Sequence, residues 1–154
     1  MRSYSVSMAI LIAVTLAPAC SGGGSTSSAP PVEQVGSSCS AASQCYPTLD
    51  GAALHGMVTC LTQLTNGYCT HTCQSDSDCC AVPGECATGF KQVCASFEST
   101  GQHYCFLSCD AADIAATPDA GTTDPTAYCQ TWAGAAFTCR STGGGSANRK
   151  FCGP

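Results

Sequence analysis

Thr59–Cys80, TCLTQLTNGYCTHTCQSDSDCC, sets a pattern that returns twice further down the chain. It is entered through Val58-Thr59-Cys60, turns at Asn66-Gly67 and reaches an aromatic–cysteine pair, Tyr68-Cys69. The second copy runs from Gln92-Val93-Cys94 past Thr100-Gly101 to Tyr104-Cys105. The third runs from Phe137-Thr138-Cys139 through Gly143-Gly144-Gly145 to Phe151-Cys152. Eight, ten and twelve residues separate the two cysteines of the successive copies. Short β-forming runs around Gly or Asn-Gly read as hairpins, and self-similarity on this scale marks a repeated supersecondary unit. The C-x5-C step of Cys73–Cys79 also repeats that of Cys39–Cys45.

The repeat divides the cysteines evenly. Unit 1, about 39–72, takes Cys39, Cys45, Cys60 and Cys69. Unit 2, about 73–108, takes Cys73, Cys79, Cys80, Cys86, Cys94 and Cys105. Unit 3, about 109–154, takes Cys109, Cys129, Cys139 and Cys152. Each set is even, which favours bridges closed within units over bridges between them. Spacing leaves the connectivity open, since four cysteines allow three pairings and six allow fifteen.

Composition supports the same class. Residues 39–154 number 116, and only fourteen are Leu, Ile, Val or Phe, against fourteen cysteines in the same span. A core that thin does not offset chain entropy alone, so cross-links must make up the difference. Each bridge contributes about 2–4 kcal/mol, not additively. The reading is a small disulfide-rich fold of short β-hairpins and loops with little helix. Paired cysteines in this number require an oxidising compartment outside the inner membrane. Zinc binding would call for ligand pairs such as C-x2-C, and none occurs. No metal or cofactor is therefore expected.

The first residues read as an export signal. Met1-Arg2 supplies a positive start, and residues 8–16, MAILIAVTL, form an apolar run. That run is about half the ~20 residues a membrane-spanning helix needs. Leu16-Ala17-Pro18-Ala19-Cys20 follows, then Ser21-Gly22-Gly23-Gly24-Ser25. This phrase resembles the lipobox of bacterial lipoproteins, although Ala17 stands where that family prefers Leu. The resemblance implies a signal peptide over 1–19, a lipid on Cys20 and, with Ser21 next, delivery to the outer membrane. Ordinary secretion is the competing reading, because Ala17-Pro18-Ala19 also fits a small-residue cleavage site. Parity favours the lipid: fifteen cysteines leave one over, and assigning Cys20 to a thioether leaves an even set. Residues 20–38 then form the anchor and a Gly/Ser/Pro tether spanning about 20–25 Å by coil scaling.

Beyond the signal the chain carries four basic residues against ten acidic ones, a net charge of −6. A sparsely charged acidic surface disfavours nucleic acid as a partner. Three of the four bases, Arg140, Arg149 and Lys150, flank the Gly-rich turn of unit 3 and read as a solvated loop. Nucleophilic catalysis needs a Ser or Cys beside a positioned base. The three histidines, His55, His71 and His103, accompany no nucleophile motif and read as solvated side chains. Asp76 and Asp78 lack the Gly and Glu of an EF-hand loop and read as turn or helix caps beside Cys79. The run Asp110–Asp124 reads as an exposed insertion, with one helical turn over Ala111–Ala116 ended by Pro118. Tyr46, Phe90, Tyr128, Trp132 and Phe137 are the candidates for packed clusters around the bridges.

Residues 67–79 follow the phrase G-x-C-T-x-x-C-x-S-D-x-D-C. With the Ala19-Cys20-Ser21-Gly22-Gly23-Gly24 start and the polar tether, it makes the chain resemble the cysteine-rich lipoproteins abundant in myxobacterium-like bacteria. The resemblance covers the whole chain and implies a surface location but no activity. The Cys79-Cys80 pair also invites comparison with four-disulfide-core inhibitors, whose double cysteine comes one cysteine later. The expectation is a non-enzymatic, lipid-anchored cell-surface protein. Its stapled scaffold would serve binding, adhesion or envelope structure, with a protein or glycan as ligand. The alternative is a secreted inhibitor or toxin-like effector.

Overall fold

The computed structural model describes residues 35–86, 89–97, 101–143 and 148–154. The expected signal, Cys20 and most of the tether lie outside these residues, as do Thr100 and the centre of the Gly-rich turn. Three antiparallel hairpins follow one another along the chain: β1 (Val58–Cys60) with β2 (Cys69–His71), β3 (Gln92–Ser96) with β4 (His103–Leu107), and β5 (Thr138–Ser141) with β6 (Lys150–Gly153). Two short helices, α1 (Ala111–Ala116) and α2 (Pro125–Trp132), precede the third hairpin. The fold is small and disulfide-rich, with little helix.

Register explains the wiring. The two cysteines of each hairpin face one another, as Cys60–Cys69, Cys94–Cys105 and Cys139–Cys152. They do not bond to each other. Each reaches instead to a cysteine that precedes the hairpin, giving Cys39–Cys60 and Cys45–Cys69 in unit 1. Cys73–Cys94 with Cys79–Cys105 repeats the pattern in unit 2, and Cys109–Cys139 with Cys129–Cys152 repeats it in unit 3. Unit 2 adds Cys80–Cys86. All seven bridges close within their units.

The junctions between units repeat as well. The residue before each new unit forms an antiparallel bridge to the next unit's second strand: Thr72 with Tyr104, and Ser108 with Phe151. The following cysteine amide then donates to that strand, Cys73 to His103 O at 3.2 Å and Cys109 to Lys150 O at 3.1 Å. Residues 36 and 37 serve unit 1 in a related way, with Gly36 N donating to Cys69 O and Cys69 N to Ser37 O. At both junctions the end of one unit thus leans on the second strand of the next.

One core runs through all three. Phe106 of unit 2 meets Tyr68 of unit 1 and Phe151 of unit 3, each at 5.4 Å between ring centroids. Tyr68 stacks on Phe137 at 5.4 Å. Such pairs add about 0.5–1.5 kcal/mol each beyond the area they bury. The expected clusters around Tyr46, Tyr128 and Phe137 are present, and Phe90 meets Trp132 edge-on at 4.7 Å. The central members, Tyr68, Phe106 and Phe151, sit beside or next to cysteines and hold the units in one body.

The Asp110–Asp124 run is more built than an exposed insertion. Helix α1 turns Ile114 inward, and Thr117, the residue that caps its C-terminus, is buried with it. The Thr117 hydroxyl donates to Gly89 O at 3.1 Å and lies 3.1 Å from the Tyr128 hydroxyl. Helix α2 starts on a signal carried by Asp124-Pro125. The Asp124 carboxylate accepts from Ala127 N at 2.7 Å, and Pro125 takes a first-turn position where no amide hydrogen is required.

Candidate functional site

Three places bring chemistry-bearing side chains together. The first is buried. Strand β2 pairs with β1 and packs against β4, and all three of its residues are buried, His71 among them. The expectation of a solvated His71 is therefore corrected: both it and Glu85 are fully buried, and Nε2 lies 2.7 Å from Glu85 Oε1. The imidazole Nδ1–H donates to Thr72 O at 2.9 Å. Glu85 also accepts from Cys80 N at 2.7 Å and from Val82 N at 3.0 Å. Burial pulls the His71 pKa down, but its bonds to Glu85 and Thr72 outweigh that and hold it above its usual value. Burial pushes Glu85 up, but His71 and the two amides outweigh it and hold the carboxyl below its usual range. Both shifts favour the charged forms, an imidazolium facing a carboxylate. Both imidazole nitrogens are committed, so the ring is not a general base.

The second is a clasp between units 2 and 3. Arg149 Nε donates to Asp110 at 2.7 Å, Nη2 to Asp113 at 2.9 Å, and Nη1 to Asp76. Arg149 thus leaves the solvated-loop class expected for it. Its hydrogen bond to Asp110 raises its pKa further; burial opposes this, and the charges of Asp76, Asp110 and Asp113 add to the rise. Asp78 does cap, accepting from Gln74 N and Ser75 N at 2.8 and 2.9 Å. Asp76 does not; its other oxygen accepts from Cys94 N at 2.8 Å. His55 lies 3.8 Å from Asp78 at the surface, and His103 is exposed on β4.

The third is a cleft of about 770 Å³ between units 1 and 3. One wall is the 63–67 turn of unit 1 with residues 36–38, and the other is the end of α2 with the loop to Phe137. Among the described residues that line it, none has a charged side chain. Gly67 fixes the first wall: its φ is +66°, and an added Cβ would lie 1.9 Å from Cys39 O. On the second wall, Trp132 is held by Phe90 and by its indole N–H donating to Ala120 O at 3.3 Å.

Sulfur atoms also cluster, in the trios Cys39–Cys45–Cys69, Cys73–Cys79–Cys105 and Cys109–Cys129–Cys152. Each trio is where two bridges of one unit lie side by side, and a disulfide sulfur lacks the thiolate charge that binds metal. Glu85 and the cleft amides Gln63, Asn66 and Gln130 carry no spacing signal as site residues; Asn66 shows only as a turn former. Among the described residues no helix is long and apolar enough to cross a membrane. No family model, curated protein or solved structure matches this chain.

Proposed function

We propose that the protein is a non-enzymatic, lipid-anchored scaffold of the outer membrane or cell surface, whose rigid body presents a binding surface. Seven bridges belong to an oxidising, extracytoplasmic setting. The observation that carries the anchor is the odd cysteine. Fourteen of the fifteen cysteines pair among the described residues, which leaves Cys20. A thioether to lipid accounts for it. The binding reading rests on stiffness: walls tied by cystines and glycine turns lose little freedom when a ligand arrives.

Intact mass of protein from its native host, with and without reduction and alkylation, tests this. A chain starting at Cys20 with a diacylglycerol-sized adduct and no alkylatable thiol is the expected result. Release of a Cys20→Ser variant from the membrane is its companion. An unlipidated chain with one free thiol overturns the anchor and moves the protein to the secreted class.

A further inference from the structure

We infer that the cleft between units 1 and 3 is a binding site for a neutral oligosaccharide, an assignment that rests on the binding-scaffold reading. The lining is selective in what it lacks. The chain's few charged side chains gather elsewhere, as at the Arg149 clasp, and the described lining holds no charged side chain. Phosphate, sulfate and carboxylate ligands would find no cationic side chain there. The lining instead offers paired donors and acceptors. Gln63 and Asn66 on one wall and Gln130 on the other are exposed side-chain amides, and Thr65 and Thr131 add hydroxyls. An amide presents a donor and an acceptor together, which matches the vicinal hydroxyls of a sugar ring.

Trp132 supplies the complementary apolar element. The C–H face of a pyranose is attracted to the electron-rich face of an indole, and Trp132 is partly exposed in the cleft while its edge is fixed by Ala120 O. The volume lies within the range of small-ligand sites. A second depression of about 730 Å³ shares Ser38, Leu64, Asn66 and Gly67 with the cleft and continues past Gln44 and Thr62, again with no charged residue among those described. A track of mixed polar and apolar surface without charged side chains, over both sides of the 64–67 ridge, suits a chain of sugar rings more than a single one. The same rigid walls that define the cleft keep the ordering cost of binding small.

Trp132 is the only tryptophan in the chain, so its fluorescence reports the cleft directly. The oxidised protein is titrated with neutral hexose and N-acetylhexosamine oligosaccharides, and with carboxylated and sulfated ones, at low and high salt. A saturable change with a neutral oligosaccharide, unaltered by 1 M NaCl, is expected. Gln130→Ala, an exposed position that leaves the reporter in place, should weaken it about tenfold. Trp132→Ala, followed by calorimetry, should do the same. A preference for charged oligosaccharides, or affinity that falls with salt, overturns the assignment. In parallel, a photo-reactive phenylalanine replacing Gln63 is irradiated on intact cells. A polypeptide captured there without any sugar response overturns the saccharide and leaves the binding scaffold standing. Silence in both experiments overturns both.

Discussion

His71 Nε2 and Glu85 Oε1 lie 2.7 Å apart with both side chains fully buried, one from the last strand of unit 1 and the other from a loop of unit 2. A buried ion pair is weak evidence of net stabilisation, but removing one partner strands the other charge.

Glu85→Gln is expected to destabilise the oxidised protein by about 3–5 kcal/mol, because it leaves a buried imidazolium without its counter-charge. The pH dependence follows from the two shifts. His71 is raised above 6.5, so its contribution is complete below that value and is lost as pH climbs through the folded pKa. Glu85 is lowered below 4.5, so its contribution is complete above that value and is lost as pH falls through the folded pKa. The pair therefore contributes fully between about pH 4.5 and 6.5. Thermal denaturation across pH should peak there in the native protein. The His71→Gln/Glu85→Gln double variant should lose that maximum.

The Cys80–Cys86 bridge closes a short loop around Glu85, whose carboxylate accepts from Cys80 N within that loop. Loop entropy alone gives this bridge about 2.4 kcal/mol, against about 3.4 for Cys39–Cys60. Replacing both Cys80 and Cys86 with Ser should cost more than the entropic value, because the loop that aims Glu85 is released. A double-mutant cycle with Glu85→Gln should show coupling above about 0.5 kcal/mol. Strict additivity would separate the bridge from the ion pair.

Tyr46 has its ring 6.0 Å from that of His71, and its hydroxyl is buried with no hydrogen-bond partner among the described residues. Burial, with help from the Glu85 charge, pushes its pKa far up. Tyr46→Phe removes an unsatisfied group and should raise stability by about 1 kcal/mol. The wild-type phenol should also stay silent in an alkaline titration until the protein unfolds. A destabilised Tyr46→Phe would reveal a partner for the hydroxyl.

Arg149 is 38% exposed, so its three carboxylates are partly screened. Arg149→Ala should lower stability by about 1 kcal/mol at low salt, where Asp76, Asp110 and Asp113 repel one another, and by less in 1 M salt. Denaturant midpoints at the two salt concentrations check this. A salt-independent loss would assign the effect to packing of the Arg149 stem.

The hairpins and their cysteine sets were legible because each copy repeats a phrase: apolar residue, cysteine, turn former, aromatic, cysteine. Asp78 was legible as a cap because its position three residues into the Ser75 turn is a local signal. His71 was not, since what buries it is neighbouring strands and the 80–86 loop, brought there only by stacking. Arg149 follows the Gly-rich turn in sequence, and its partners are 36 to 73 residues away. The cleft is the extreme case. Gln63 and Gln130 are ordinary surface residues until two units place them on facing walls, and uncharged side chains leave no compositional trace.

No bridge joins one unit to another, and the cysteine partners lie between 6 and 30 positions apart. A chain threading out of a translocation pore N-terminus first would therefore hold every partner for unit 1 before Cys73 emerges. Oxidation is then three successive small searches in place of one large one, and a mistake in one unit need not entangle the next. The same wiring makes the fold extensible. A whole unit inserted at Cys73 or Cys109 would bring its own cystines and would meet, through one strand bridge on each side, the junction its neighbours already use.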